Sequence, residues 1–308
     1  MMPPSPSSND AVISITGLHK SFQRNPVLKD VTLHVPQGCV FGLVEENGAG
    51  KTTTIRHILG LLRPDEGAVS VCGADPVKDP VKVLSQVGYL SELRDLPGWM
   101  RVDELMSYTQ AFYPNWDISF AETLREDFGL DPAKRIKHLS QGQQAKAGLL
   151  VALAYRPELL VLDEPSSGLD PVVRRDMLEV IIRRVANEGR TVFFSSHLLD
   201  EIERVCDHLA MIHQGEIRLT GRLDDLRESH CLFTIQFDHA LTEKPSIAKS
   251  LEVTGQGRHW KVLSGQPFQS VEQEIEALGA QMIDRATPGI DQIFFAIAKK
   301  QSSATQAV

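Results

Sequence analysis

The 308-residue chain has little of several things that would mark it for a particular class. Its four cysteines, at 39, 72, 206 and 231, stand far apart with no C-x-x-C pair. That excludes a disulfide framework and a cysteine zinc site, and suggests buried or free thiols in a reducing compartment. Basic residues are not in excess: 32 Lys and Arg face 40 Asp and Glu, for a formal net charge of −8, which argues against a dedicated nucleic-acid surface. No stretch reaches the roughly 18 uninterrupted apolar residues of a membrane helix. Even LLVALAYRPELLVLDE is broken by Arg156, Pro157 and Glu158. The opening MMPPSPSSND lacks the basic flank and apolar run of a signal peptide, so residues 1–10 are expected to be a disordered lead-in. Internal repeats and low-complexity tracts are missing as well. What remains, 42% hydrophobic and 23% charged residues, is an ordinary globular composition, and the length is enough for one sizeable domain plus a smaller one or for a single large α/β domain.

Short β-rich runs (AVISITGL, VTLHV, CVFGLV), separated by turn signals at Asn25-Pro26 and Pro36-Gln37-Gly38, occupy residues 11 to 44. TTTIRHILGLL then carries apolar residues at helical spacing, at 55, 58, 59 and 62. Residues 100 to 155 read mostly as helices. LLVLDE and TVFFSS are compact apolar runs suited to strands buried on both faces of a parallel sheet. Between them PVVRRDMLEVIIRRVANEG is an amphipathic helix started by Asp170-Pro171 and stopped by Gly189. Near residue 222 the organisation changes. FTIQF alternates, SLEVTG and HWKVLSG suggest a hairpin around Gly255 to Gly257, and SVEQEIEAL opens with a capping-box pattern at Ser270 and Gln273. GIDQIFFAIAKK is a last helix. The expected division is a main domain over 11–222, a small α+β domain over 223–300, and a disordered tail over 301–308.

Residues 42 to 53 read GLVEENGAGKTT. A strand entering a helix through a glycine loop is the context a phosphate loop needs. Backbone N–H groups from Gly48 to Thr52 would wrap a β-phosphate at a helix N-terminus. Lys51 would neutralise β- and γ-phosphate charge, and the Thr52 hydroxyl would ligate Mg²⁺. At 159 to 165, LLVLDEP places two carboxylates after four apolar strand residues. Asp163 at the strand end suits the Mg²⁺ shell, and Glu164 suits polarising an attacking water.

LSQGQ follows at 139 to 143, SSGLD at 166 to 170 and SSH at 195 to 197. With these in order, the chain resembles the ATP-binding subunit of an ABC transporter over roughly residues 12 to 222. The resemblance implies an α/β P-loop NTPase cassette, with a mostly parallel sheet core, an antiparallel β subdomain and a helical subdomain, followed here by the α+β appendage. It implies ATP and Mg²⁺ as cofactors, with Asn47, Gly48, Ala49, Gly50, Lys51, Thr52 and Thr53 cradling the phosphates and Phe22 stacking on adenine. Ser140, Gly142 and Gln143 would cap the γ-phosphate held by a second ABC ATPase subunit, and Asp170 would link the two sites. Gln141 stands where the family has glycine. Glu164 would be the catalytic carboxylate, assisted by His197 and Lys51. Glu92, at the end of VGYLSE where many members carry glutamine, would reach the metal and water region, and Leu93 to Met100 would face a separate transmembrane permease. AFYPNWD at 111 to 117 and the ending PGIDQIFFAIAKK are similar to single-cassette subunits of bacterial export-type transporters. The location implied is cytoplasmic, peripheral on the inner face of the membrane.

One residue departs sharply from the family's loop, GENGAGKT: Glu45 replaces its first glycine. Two costs are expected, the lost backbone freedom of glycine and a negative charge near a polyanion. At ~7 Å and an effective dielectric of ~20 each pair of unit charges repels by roughly 2 kcal/mol. The expectation is weakened nucleotide binding. Two other readings stay open: a nucleotide-binding regulatory subunit with impaired ATPase, and a soluble ABC-type ATPase outside any transporter. The second of these usually shows a long coiled coil, zinc cysteines or two joined cassettes, none of which is visible here.

Overall fold

A computed structural model describes residues 11–45, 50–185, 188–248, 250–266 and 268–305. Strand β1 (Ala11–Phe22) turns into β2 (Asn25–Pro36) through Gln23 and Arg24, both at positive φ, 48° and 70°. That is the turn hand a two-residue antiparallel hairpin requires. β4 (Glu66–Val71) pairs with the other edge of β1, completing an antiparallel sheet ordered β2-β1-β4.

The larger sheet has six strands in the order β5-β6-β7-β3-β8-β9. They are β3 (Val40–Glu45), β5 (Val87–Leu90), β6 (Leu159–Asp163), β7 (Thr191–Ser196), β8 (His208–His213) and β9 (Glu216–Arg222). Every residue of β3, β6 and β7 is buried, which is why their sequences are unbroken apolar runs and not alternating ones. The pairs β5–β6, β6–β7, β7–β3 and β3–β8 are all parallel. The register sets Asp163 beside Ser195 and Ser196 beside Val44. The carboxyl ends of β6, β7 and β3 therefore finish side by side, the place where open parallel sheets hold their ligands.

Helix α1 (Lys51–Ile58) follows β3, and α2 (Pro80–Leu84) precedes β5. Between β5 and β6 lie α3 (Val102–Gln110), α4 (Ile118–Asp127) and α5 (Gln141–Leu153). A Cβ at Gly88 of β5 would stand 2.3 Å from the Ala152 carbonyl oxygen, so only glycine lets the end of α5 come this close. Tyr155, just beyond α5, donates its hydroxyl to the Val87 carbonyl at 2.7 Å. Asp117 caps α4 by accepting from Phe120 N–H at 2.9 Å. That bond, with those from Ser119 and Arg156, holds its carboxyl down at about 2. Helix α6 (Pro171–Arg184) carries the chain from β6 to β7, and α7 (Leu199–Val205) from β7 to β8.

The chain divides into two compact units between Thr220 and Gly221. The second contains α8 (Leu223–Glu228), β10 (Cys231–Leu241), β11 (Glu252–Ser264), α9 (Phe268–Ala277), β12 (Ala280–Ala286) and α10 (Ile290–Thr305). Its sheet is antiparallel with the order β11-β10-β12. The β11 run folds back on itself. Leu251 N–H donates to the Leu263 carbonyl at 2.7 Å, and a Cβ at Gly255 would lie 2.4 Å from the His259 carbonyl. Phe233, Ile235, Trp260, Val262, Val271 and Ile275 form a core belonging to this unit.

Three local expectations differ. Helix α9 starts at Phe268, so Ser270 sits inside the first turn and not at its cap. The residue before it in sequence is Pro267, a residue suited to opening a helix. Helix α10 runs to Thr305, five residues into the expected polar tail: extending an existing helix adds a hydrogen bond per residue without a new nucleation cost, and neither Gly nor Pro occurs in QSSAT to stop it. Leu62 lies beyond the end of α1. Residues 1–10 are outside the described set. Among the described residues no helix is long and apolar enough to cross a membrane.

Because each unit has its own apolar cluster, a chain ending at Arg222 should remain soluble and melt cooperatively. Calorimetry on that chain checks this; aggregation or a broad, non-cooperative transition would show that the first unit depends on the second.

Candidate functional site

The site is built on three neighbouring strand ends. At the end of β6 the backbone of Glu164 enters the left-handed region, with φ of 46°, an uncommon conformation for a residue with a side chain. Strand β7 supports it there. Glu164 N–H donates to the Ser195 hydroxyl at 3.0 Å and to the Ser195 carbonyl at 3.2 Å. The Ser195 hydroxyl in turn donates to Asp163 Oδ1 at 2.9 Å. One serine thus places both carboxylates.

The Glu164 carboxylate is buried and shared. Its Oε1 lies 2.8 Å from Lys51 Nζ. Its Oε2 accepts from His197 Nδ1 at 2.7 Å and from His197 N–H at 3.3 Å. Lys51 is equally buried, whereas the His197 side chain is 55% exposed. A buried ion pair gains little net stability once desolvation is counted, but it orients its members well. Of the three catalytic candidates, Glu164 therefore touches both of the others, Lys51 and His197.

Lys51 is held at its other end as well. Its backbone N–H, at the start of α1, donates to Glu45 Oε2 at 3.3 Å. Glu45 is only 3% exposed, and its carboxylate turns toward the start of α1. The backbone of Glu45 is the regular end of β3 and is not at positive φ. The expected strain from replacing glycine is thus not found, and the charge is what remains. Asn47, Gly48 and Ala49 lie outside the described residues. Gly50 precedes α1 and would, with a Cβ, press on Ile212 at 3.0 Å. The Thr53 carbonyl accepts from His57 Nδ1 at 2.8 Å.

Burial pushes the Asp163 carboxyl up, opposed by hydrogen bonds from Ser195 and Thr52 and reinforced by the charges of Glu164 and Glu92. Thr52 and Asp163 together offer only oxygen donors, next to each other and at a helix start. That is the donor chemistry a hard cation such as Mg²⁺ takes, so these residues fit the ion that the sequence implied. Glu92, whose charge acts on Asp163, also accepts from the Ser167 hydroxyl through Oε1 at 3.2 Å. Close by, Arg94 Nη2 donates to the carbonyls of Pro165 and Ser167. Arg94 belongs to the segment expected to face the permease, and its hold on this loop was not read from the sequence because its partners lie 71 and 73 residues away.

Among the remaining candidates, Ser140, Gly142, Gln143 and Asp170 lie at the starts of α5 and α6. Ser140 caps α5 reciprocally with Gln143, each bond 3.2 Å. A Cβ at Gly142 would strike Val173 at 2.7 Å, so this glycine allows α5 to approach α6. Asp170 caps α6 through Val172 and Val173 N–H, both at 3.1 Å. No contact among the described residues joins Ser140, Gly142 or Gln143 to Lys51 or Glu164. Phe22, at the end of β1, is 41% exposed, with Lys20 Nζ 5.7 Å from its ring centre.

Residues 28–167 match the ABC transporter family model. The ATP-binding protein YtrB of Bacillus subtilis (strain 168) is 31% identical over 227 residues, 74% of this chain and 77% of that protein. NatA of the same organism is 34% identical over 71% of this chain and 92% of its own length. The bacitracin transport ATP-binding protein BcrA of Bacillus licheniformis is 32% identical over 70% and 72%. Among solved structures, an ATP-binding subunit of an ABC transporter superposes with a TM-score of 0.65 at 30% identity, covering 70% of this chain and 92% of the other. A dimeric bacterial cassette gives 0.61 at 20% identity, covering 68% and 98%, and shares the fold. With its nucleotide motifs set at adjoining strand ends of that fold, the chain belongs to the ABC transporter family as one of its ATP-binding, ATP-hydrolysing subunits.

Proposed function

We propose that two such subunits close around ATP and that its hydrolysis drives a separate membrane permease. The observation that carries this reading is the Glu164 carboxylate, fixed between Lys51 and His197 at the carboxyl ends of the parallel strands. When ATP enters, its γ-phosphate competes for Lys51. Glu164 is then free to accept a proton from a water aligned for attack on that phosphate. His197, bonded to Glu164 yet still exposed, would donate to the transferring phosphoryl group. Thr52 and Asp163 would hold Mg²⁺, which when bound neutralises phosphate charge. Phe22 offers an exposed ring for adenine. Ser140, Gly142 and Gln143, grouped apart from Lys51, would serve the neighbouring subunit's ATP, and Asp170 would join the two sites. The dimer reading follows from that separation.

The permease contact is supported by an exposed apolar surface following β5, where Leu93 is 77% exposed and Trp99 also protrudes. Transport outward, and a cytoplasmic position under the membrane, are proposed on the likeness to single-cassette relatives such as the bacitracin transport protein. The excess of acidic residues supports a role without nucleic acid.

Glu164→Gln keeps the shape of the side chain but cannot accept the proton. Turnover at saturating Mg-ATP should fall at least a hundredfold while ATP still binds. Phosphate release measured on both forms checks it; turnover near the parent rate would remove Glu164 from catalysis.

A second reading, a subunit that binds nucleotide weakly and regulates a partner, is favoured by the Glu45 carboxylate on Lys51 N–H. Halving the charge estimate for the opposing Lys51 leaves about 1 kcal/mol, about fivefold in affinity. Glu45→Gly should tighten Mg-ATP binding by about that factor. Glu45→Gln should recover most of the gain, because charge and not backbone strain is the cause. Since Glu45 is buried, added salt should change the gain little. Equal affinities for all three forms by calorimetric titration would show that the loop tolerates the carboxylate.

A further inference from the structure

Two loops border the Glu164–His197 pair, and one buried side chain on α7 holds both. Glu201 is 4% exposed. Its Oε2 accepts from the Ser166 hydroxyl and from the Ser196 hydroxyl, each at 2.8 Å. Its Oε1 lies 3.3 Å from Arg174 Nε on α6. Ser166 stands two residues after Glu164, and Ser196 immediately precedes His197. The Ser196 hydroxyl also accepts from Leu198 N–H at 3.0 Å, so it closes the turn that carries the histidine. Arg174 reaches the same loop as Ser166, donating to the Leu169 carbonyl at 3.4 Å.

A carboxylate this deep is costly unless it is well partnered. An apolar residue could fill the same space without that cost. What the carboxylate adds is direction: one oxygen atom receives a hydroxyl from each functional loop, and the other faces a guanidinium anchored on α6. The demand for such support is visible at Glu164, whose left-handed backbone, φ of 46°, persists only where surrounding contacts determine it. We infer that Glu201 is a positioning residue for ATP hydrolysis, fixing the loop after Glu164 and the turn bearing His197 in register with each other. This rests on the proposed roles of Glu164 and His197. Glu201 touches neither of those side chains, nor Lys51, in the described contacts, so its effect should fall on turnover and not on nucleotide affinity.

The test is a double-mutant cycle on the full chain, with kcat and KM for Mg-ATP measured by phosphate release. Glu201→Gln leaves an amide nitrogen facing either Arg174 or the serine hydroxyls, and it removes the charge. It should lower kcat about tenfold, a displacement below 1 Å being enough, while KM and the melting temperature stay nearly unchanged. Glu201→Ala should cost more. In a His197→Ala chain, Glu201→Gln should cost less than twofold further, because the histidine it positions is gone. The same factor with and without His197, or a raised KM at constant kcat, would overturn the inference. Should the Glu201 variants fail to fold, Ser166→Ala and Ser196→Ala each remove a single oxygen, and both should lower kcat severalfold at unchanged KM. Parent-like kcat in both would equally overturn it. If Glu164→Gln itself turns over ATP normally, the catalytic reading fails first. If Glu164→Gln is inactive and the cycle is additive, only the role of Glu201 fails.

Discussion

Lys51 is gripped by carboxylates at both ends, and much of the structure exists to make that possible. Glu164 takes its ammonium at 2.8 Å and Glu45 takes its backbone N–H at 3.3 Å. Both contacts are buried, in a place where an uncompensated charge would be costly. They need β3, β6 and β7 to end level with each other, which in turn needs strands apolar on both faces and a parallel register. A phosphate group brings the same kind of charge that these carboxylates supply. Nucleotide binding is on this account an exchange of anions around one lysine, and Glu45 makes the exchange harder.

The neighbourhood of Glu164 combines strain with close support. Its backbone is left-handed, its N–H is received by Ser195, and its side chain is divided between Lys51 and His197. The loop beyond it is fastened from two further directions, by Glu92 and Arg94 on one side and by Glu201 on the other. The segment containing exposed Leu93 is therefore joined to the loop after Glu164 directly, by the hydrogen bonds of Glu92 and Arg94 on either side of it.

The cassette was legible because its physics is local. Unbroken apolar runs marked β3, β6 and β7, a glycine loop marked the strand-to-helix passage before Lys51, and Asp170-Pro171 marked the start of α6. Order along the chain then brought Lys51, Asp163, Glu164 and His197 into one reading. Illegible features depend on contacts between residues far apart in sequence. Arg94 bonds to carbonyls beyond residue 160, and Glu201 gathers hydroxyls from two separate loops. Glu45 was visible as an anomaly, but whether its cost came from backbone or charge depended on which way the side chain turns. The cap at Ser270 was misread because a capping pattern does not outrank a helix that starts earlier, and the polar tail because polarity does not prevent a helix from continuing.

The central claim is that Glu164 holds Lys51 until a nucleotide replaces it. ATP affinity of a Glu164→Gln chain, compared with the parent at concentrations where both are single subunits and without added metal, tests this most directly. Losing the anionic partner of Lys51 should tighten binding by about fivefold, roughly 1 kcal/mol. Unchanged or weaker binding would contradict the account, since Lys51 would then be equally available whether or not the carboxylate is there.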